Sequence, residues 1–240
     1  MLRRHFAIGL LILTTLPWVP ASAQEAKKPG SGSTLKVACV GDSITYGAGI
    51  KDRENHSYPK QLARMLGDGF LVENFGVSGA TLLKNGDRPY WKTGKYKGAL
   101  ALQPDIVVIK LGTNDTKPKN WKHKDQIAAD LKAMVGAFRE LPSKPVVFLC
   151  LPVPAFPERW GIRDSVIKSE LIPIIKEVAK SEKCPVIDLY KALDGKKELF
   201  PDKVHPNQGG AKVIAETVNA AIGKQLSAHP EKKPAATKAK

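Results

Sequence analysis

Apolar residues gather in five short runs along the chain, at 35–40, 70–75, 105–111, 145–151 and 185–189. Each is rich in Val, Ile or Leu, and most lack strict alternation with polar residues. Strands buried on both faces read this way. The intervals between them carry helical spacing. Ser57 stands where a helix cap is wanted, with Pro59 in the first turn, Leu62, Met65 and Leu66 on one face and Gly67 as the stop. Ile127, Leu131, Met134, Val135 and Phe138 share a helical face. So do Ile167, Leu171, Ile174, Ile175 and Val178, although Pro173 interrupts that pattern and is expected to kink it. Ile214, Val218 and Ile222 mark a last helix. Strands alternating with helices predict an α/β fold, a parallel sheet covered on both faces. No internal repeat is visible.

Composition narrows this picture. The chain has 240 residues, 42% hydrophobic and 25% charged, which is the profile of a globular protein able to bury a core as one domain. Outside the N-terminus no apolar stretch approaches the roughly 20 residues of a membrane span, so a multi-span membrane protein is excluded. Residues 1–23 read as a secretory signal. Arg3 and Arg4 form its basic start, a short apolar run follows, and Ala21-Ser22-Ala23 is a cleavage site that would leave Gln24 first. The reading is a secreted or periplasmic protein with no integral membrane association once the signal is removed. Residues 24–33 read as a flexible leader and 227–240 as a disordered Lys-rich tail, leaving 34–226 as the globular domain.

The net charge of +15 survives removal of both ends in large part, and it suits attraction to anionic polymers. The lysines are scattered and no basic-aromatic array repeats, so nucleic acid is not an expected partner. Cys39, Cys150 and Cys184 lie in or beside apolar runs, as small buried hydrophobes do, and no spacing resembles a zinc site.

In open α/β sheets ligands bind beyond the C-terminal ends of the strands. After the first run stands Gly41-Asp42-Ser43-Ile44-Thr45, after the second Ser78-Gly79-Ala80-Thr81, and after the third Gly112-Thr113-Asn114-Asp115. After the fifth comes the polar segment Asp202-Lys203-Val204-His205. A serine becomes nucleophilic only beside a base, and histidine is the usual base near neutral pH. His5 leaves with the signal and His229 lies in the tail. His123 sits among lysines and His56 precedes the first helix. His205 follows a strand and has a carboxylate three residues earlier, so Asp202 can orient its ring. The Ser43 N–H, the Gly79 N–H and the Asn114 side-chain amide are candidate oxyanion donors. Taken singly, each of these residues also fits a turn, a cap or a surface ion pair. The joint occurrence in order is specific.

These four blocks resemble the SGNH hydrolase family, the GDSL esterases. GDSIT carries Ser43, SGAT carries Gly79, GTND carries Asn114, and DKVH carries Asp202 and His205. The likeness runs from Lys36 to about Ile222 and includes Ser57-Tyr58-Pro59. It implies a three-layer α/β/α fold with a five-stranded parallel sheet of flavodoxin-like type. It also implies an acyl-enzyme mechanism with Ser43 as nucleophile, His205 as base, Asp202 as its orienting carboxylate, and no metal or organic cofactor. The lipase-type G-x-S-x-G elbow is absent around Ser43, which argues against the other large esterase fold.

The family includes lipases, thioesterases, phospholipases and carbohydrate acetylesterases, and the blocks do not choose among them. Export argues against acyl-carrier substrates. Trp91, Trp121 and Trp160 fall in segments that follow the second, third and fourth runs, and Tyr90 and Arg88 adjoin Trp91. Such residues suit an acylated sugar, or they anchor loops. With Asp42 they form the candidate substrate-binding set. Segment 152–162 is the nearest thing to an apolar lid and is short. The expected substrate is a short acyl ester, above all an O-acetyl group on a carbohydrate. The alternatives are a lysophospholipase or other lipolytic acylhydrolase, and a polysaccharide-binding protein without activity.

Overall fold

The computed structural model describes residues 34–156 and 159–229. The expected signal and leader, the tail from 230 onward, and Pro157 and Glu158 of the lid-like segment lie outside the described residues. Among the described residues five strands form one sheet: β1 (Leu35–Gly41), β2 (Phe70–Gly76), β3 (Ile106–Lys110), β4 (Val146–Leu151) and β5 (Val186–Asp188). Their order is β2-β1-β3-β4-β5 and every pair is parallel.

The period of two along each strand divides its side chains between two cores. Val37 and Cys39 of β1, Ile106 and Val108 of β3, and Phe148 and Cys150 of β4 face one way. There they pack on Tyr58 and Leu62 of the helix Tyr58–Leu66 and on Ile214, Val218 and Ile222 of the helix Gln208–Ala228. Ala38, Val40, Val107, Ile109, Val147 and Leu149 face the other way, onto the helices Ile127–Arg139 and Ile172–Ser181. A three-layer α/β/α sandwich follows from this alternation, because each sheet face must be covered. The edge strands depart from the expected two-sided burial: Leu71 of β2 and Val186 of β5 are exposed.

Pro173 is accommodated without ending the helical stripe. A π-helical turn, Ile167–Leu171, precedes it, and Pro173 is the second residue of the helix that restarts at Ile172. The Ile172 N–H donates back to the Ile167 carbonyl, so the two helical segments are continuous, and the π turn lies where Pro173 has no N–H to donate. The last helix extends through Ser227 and Ala228, two residues placed in the tail on sequence. No helix among the described residues is long and apolar enough to cross a membrane. The three cysteines are free and buried, and burial pushes the Cys39 thiol up to about 12.

Strand order places the functional edge. From β1 the chain moves outward to β2, then crosses back past β1 to β3 and continues to β5. At that reversal the loops leaving β1 and β3 diverge to opposite faces and open a crevice beyond their C-terminal ends.

Phe148, 1% exposed at the centre of β4, tests the packing under the sheet. Phe148→Ala should cost about 3–5 kcal/mol. The check is a urea titration in which the midpoint falls while the slope is unchanged.

Candidate active site

β1 ends in a turn with little room. A side chain at Gly41 would bring its Cβ to 2.0 Å from Thr45 Oγ1 and 2.7 Å from the Lys110 carbonyl. Asp42 then caps the short helix Ser43–Tyr46, its Oδ1 accepting the Ile44 N–H at 2.9 Å. The Asp42 carboxylate is fully buried, and its counter-charge comes from the adjacent strand. Lys110 Nζ, at the end of β3, lies 3.1 and 3.0 Å from the two carboxylate oxygens and donates to Thr113 Oγ1 at 2.9 Å. Ser43 occupies the first helical position, where the backbone N–H has no partner within the helix.

Asp202 builds the second arm. Its Oδ1 accepts the backbone N–H groups of Val204 and His205 at 3.0 and 2.7 Å, across a turn in which Lys203 takes a φ of +78°. Its Oδ2 stands 2.7 Å from His205 Nδ1, and His205 Nε2 stands 2.8 Å from Ser43 Oγ. With the serine hydroxyl donating to Nε2, the Nδ1 proton belongs to the hydrogen bond with Asp202. Partial burial raises the Asp202 carboxyl, but the two backbone N–H groups and the imidazole outweigh it and hold it below the ordinary carboxylate value. The segment is not placed directly by β5. The helix Leu189–Leu193 and the turn Lys197–Leu199 intervene, and His205 stands just before the helix Gln208–Ala228.

The third side of the site holds hydrogen-bond donors. Gly79 sits at φ +77°, a conformation that glycine adopts without steric cost, and its N–H meets no acceptor among the described residues. Asn114 spends one amide hydrogen on the Ala80 carbonyl at 3.1 Å, leaving a second to donate. Asp115, fully buried, ties these two loops together. Its oxygens accept the N–H groups of Leu82 and Leu83 at 3.0 and 2.8 Å. Burial raises this carboxyl to about 7, against the opposing pull of the same N–H groups.

Ser43, Gly79, Asn114 and His205 line one cavity of about 200 Å³ with Ala48, Ser78, Lys117, Trp160 and Ile162. The structure thus brings together the residues of the four sequence blocks, with Asp202 behind His205. Of the candidate substrate-binding set, Trp160 reaches the cavity. It is 52% exposed, at φ +54°, with its ring 5.4 Å from that of His205 and the Arg159 guanidinium 4.6 Å from its centre. Arg88 lies against Gly79, its Cδ and Nη1 within 3.6 and 3.7 Å of where a Gly79 Cβ would stand.

The other four are not brought to the cavity. Asp42 is spent on the cap and on Lys110. Tyr90 is buried and donates its hydroxyl to the Phe75 carbonyl at 2.7 Å. Trp91 donates to the Leu82 carbonyl and packs edge-on against Tyr96. Trp121 is buried, with its indole N–H on Glu170. These aromatic residues anchor loops. His56 and His123 are also absent from the cavity wall.

Sequence reading missed Lys110, Asp115, Lys117 and Ile162. The signal for Lys110 was a lysine inside the run IVVIKL, where a solvated charge has no place. Among the described residues no cluster of His, Cys, Asp or Glu suits a metal ion.

A family model described as GDSL-like lipase/acylhydrolase matches residues 39–213. An acetylxylan esterase from Xylanibacter ruminicola is 44% identical over 223 residues, covering 85% of this chain and 45% of that protein. A multidomain esterase from Ruminococcus flavefaciens is 26% identical over 259 residues, covering 87% and 32% respectively. This chain therefore spans less than half the length of these curated relatives. Among solved structures, a carbohydrate acetylesterase from Sinorhizobium meliloti superposes with a TM-score of 0.65 at 23% identity, over 80% of this chain and 100% of that one. An acetylxylan esterase from Geobacillus stearothermophilus gives 0.62 at 22% identity, over 80% and 95%. At these identities the structural likeness carries the fold.

Two stability experiments follow from the buried charges. Lys110→Met strands the Asp42 carboxylate in the core and should cost about 3–5 kcal/mol, whereas Lys110→Met with Asp42→Asn should recover much of the loss. A denaturant double-mutant cycle measures the difference, and strict additivity would contradict the pairing. Asp115 titrates above its unfolded value, so the native state holds that proton more tightly. Its contribution is fully present below 3.8 and is lost as pH rises through about 7. Melting temperatures across that interval should show this decline, and Asp115→Asn should lose the slope. The variant should also be less stable throughout, because its amide turns an N–H toward Leu82 or Leu83.

Proposed function

The chain belongs to the GDSL-like lipase/acylhydrolase family, and from that premise we propose that it is an exported serine esterase that removes short acyl groups, acetyl foremost, from a carbohydrate. The observation that carries the reading is the hydrogen-bonded chain Ser43–His205–Asp202 opening into a small cavity with unused N–H donors. Ser43 Oγ attacks the ester carbonyl as His205 Nε2 takes its proton. The carbonyl oxygen becomes an oxyanion among the Ser43 and Gly79 N–H groups and the free Asn114 amide hydrogen. Asp202 stabilises the imidazolium through Nδ1. As the tetrahedral intermediate collapses, the sugar oxygen departs with the proton from His205, leaving acyl-Ser43. Water, deprotonated by the same nitrogen, then releases the acid and restores Ser43.

Acyl size follows from volume. The cavity of about 200 Å³ is small beside ligand clefts of roughly 300–1,000 Å³. A two-carbon acyl group fits within it, and the alcohol portion remains at the mouth. There Trp160 offers an exposed ring on which the apolar face of a sugar can stack. The names of the relatives, acetylxylan esterase and carbohydrate acetylesterase, point to the same chemistry. Export rests on residues 1–23 and is checked by finding Gln24 at the N-terminus of protein recovered outside the cytoplasm.

The acyl-length profile tests the activity. Against p-nitrophenyl esters the rate should peak at acetyl, and Ser43→Ala should fall to background. A peak at about eight carbons or longer would move the reading to lipids. Acetylated glycan bound without turnover would indicate a binding protein.

A further inference from the structure

Around the cavity the charges are unbalanced. Lys117 is part of the wall, beside Asn114. Arg88 stands across Gly79, on the side a side chain there would occupy. Neither cationic group has a hydrogen bond or ion pair among the described residues. Asp87 is close enough to Lys117 to feel its charge, but its oxygens already accept from Lys119 Nζ at 2.7 Å and Asn120 Nδ2 at 2.9 Å. Among the described residues no carboxylate lines the cavity, and Asp202 is engaged behind His205. Lys117, in the wall and against the Gly161 backbone, and Arg88, beside Gly79, are therefore two unspent cations next to an esterase cleft, whose lining also holds the exposed ring of Trp160.

A guanidinium or ammonium group left unpaired at the mouth of a cleft is a recognition element for an anion, and Arg in particular matches a carboxylate in two-point geometry. The reaction itself supplies no such anion in the ground state, because an acetyl ester of a neutral sugar is uncharged. We infer that the cleft is built for an acetylated glycan carrying carboxylate groups, a uronic acid on or beside the acetylated residue, with Arg88 and Lys117 as the specificity determinants. The inference rests on the carbohydrate-esterase reading. The basic character of the whole chain acts in the same direction, by drawing a polyanionic substrate toward the surface.

The test compares two acetylated xylo-oligosaccharides of one length, one neutral and one bearing glucuronic acid, by acetate release from the full chain. At low ionic strength kcat/KM for the acidic substrate should exceed that for the neutral one by roughly fivefold, the scale of two solvent-exposed charge contacts. The ratio should fall toward one in about 0.5 M salt, where the screening length is a few ångströms. Arg88→Gln and Lys117→Gln should each lower the ratio, and Lys117→Glu should bring it below one. Each ratio is taken within a single protein preparation, so partial misfolding of a variant cancels.

Equal rates on the two substrates would overturn the carboxylate subsite and leave the esterase reading intact. A ratio that neither substitution moves would overturn the roles of these two residues. Equal losses on both substrates in the variants would also overturn the inference, assigning the cations to the oxyanion or the fold. Acetate from neither glycan, with p-nitrophenyl acetate still cleaved, would overturn the carbohydrate reading and this inference with it.

Discussion

A lysine buried to zero exposure at the end of β3 must meet a negative charge, and Asp42 is the one it meets. Much of the site hangs on this pair. It joins β1 to β3 where the sheet opens into its crevice, and it satisfies the carboxylate that caps the Ser43 helix. Through Thr113 it also reaches the loop that carries Asn114. Desolvating two charges is expensive, and a buried ion pair is weak evidence of added stability. Its role here is geometric. The turn that holds Ser43 and the loop that holds Asn114 share a rigid, oriented anchor.

Two other aspartates show how environment divides one residue type between tasks. Asp202 is partly exposed and accepts two backbone N–H groups as well as the imidazole, so it remains a carboxylate well into acid. Asp115 also accepts two backbone N–H groups but is fully buried, and burial, with the nearby Asp42 charge, raises it toward neutrality. The first holds its charge against the His205 ring. The second is a strap between the loops of Gly79 and Asn114, and what it contributes is the relative position of their donors.

One loop shapes the mouth of the cleft. Trp160 is held in a left-handed conformation, followed by Gly161 in the same region, and its exposed ring stands beside His205. Strained backbone next to reacting groups persists where the surrounding structure imposes it. Lys117 packs along the same loop, its Cγ 3.8 Å from where a Gly161 Cβ would stand. The exposed aromatic ring and the Lys117 side chain therefore lie along one loop at the mouth of the cavity, with the Arg159 guanidinium over the ring.

The sequence by itself determined the sheet, its helical layers and the four blocks, because strand burial and helical faces are periodic and local. It also determined the Asp202–His205 pairing, which spans three residues and closes through a single turn. Tertiary structure decided the rest. Tyr90, Trp91 and Trp121 read on sequence like Trp160. Each of the first three finds a carbonyl or carboxylate inside the protein for its polar hydrogen, while Trp160 is left exposed by a backbone turn that no pattern encodes. Lys110 and Asp42 are 68 residues apart, and Asp115 and Leu83 are 32 apart. Contacts at such separation exist only after parallel strands have aligned the loops at one end, and nothing in the local sequence records that alignment.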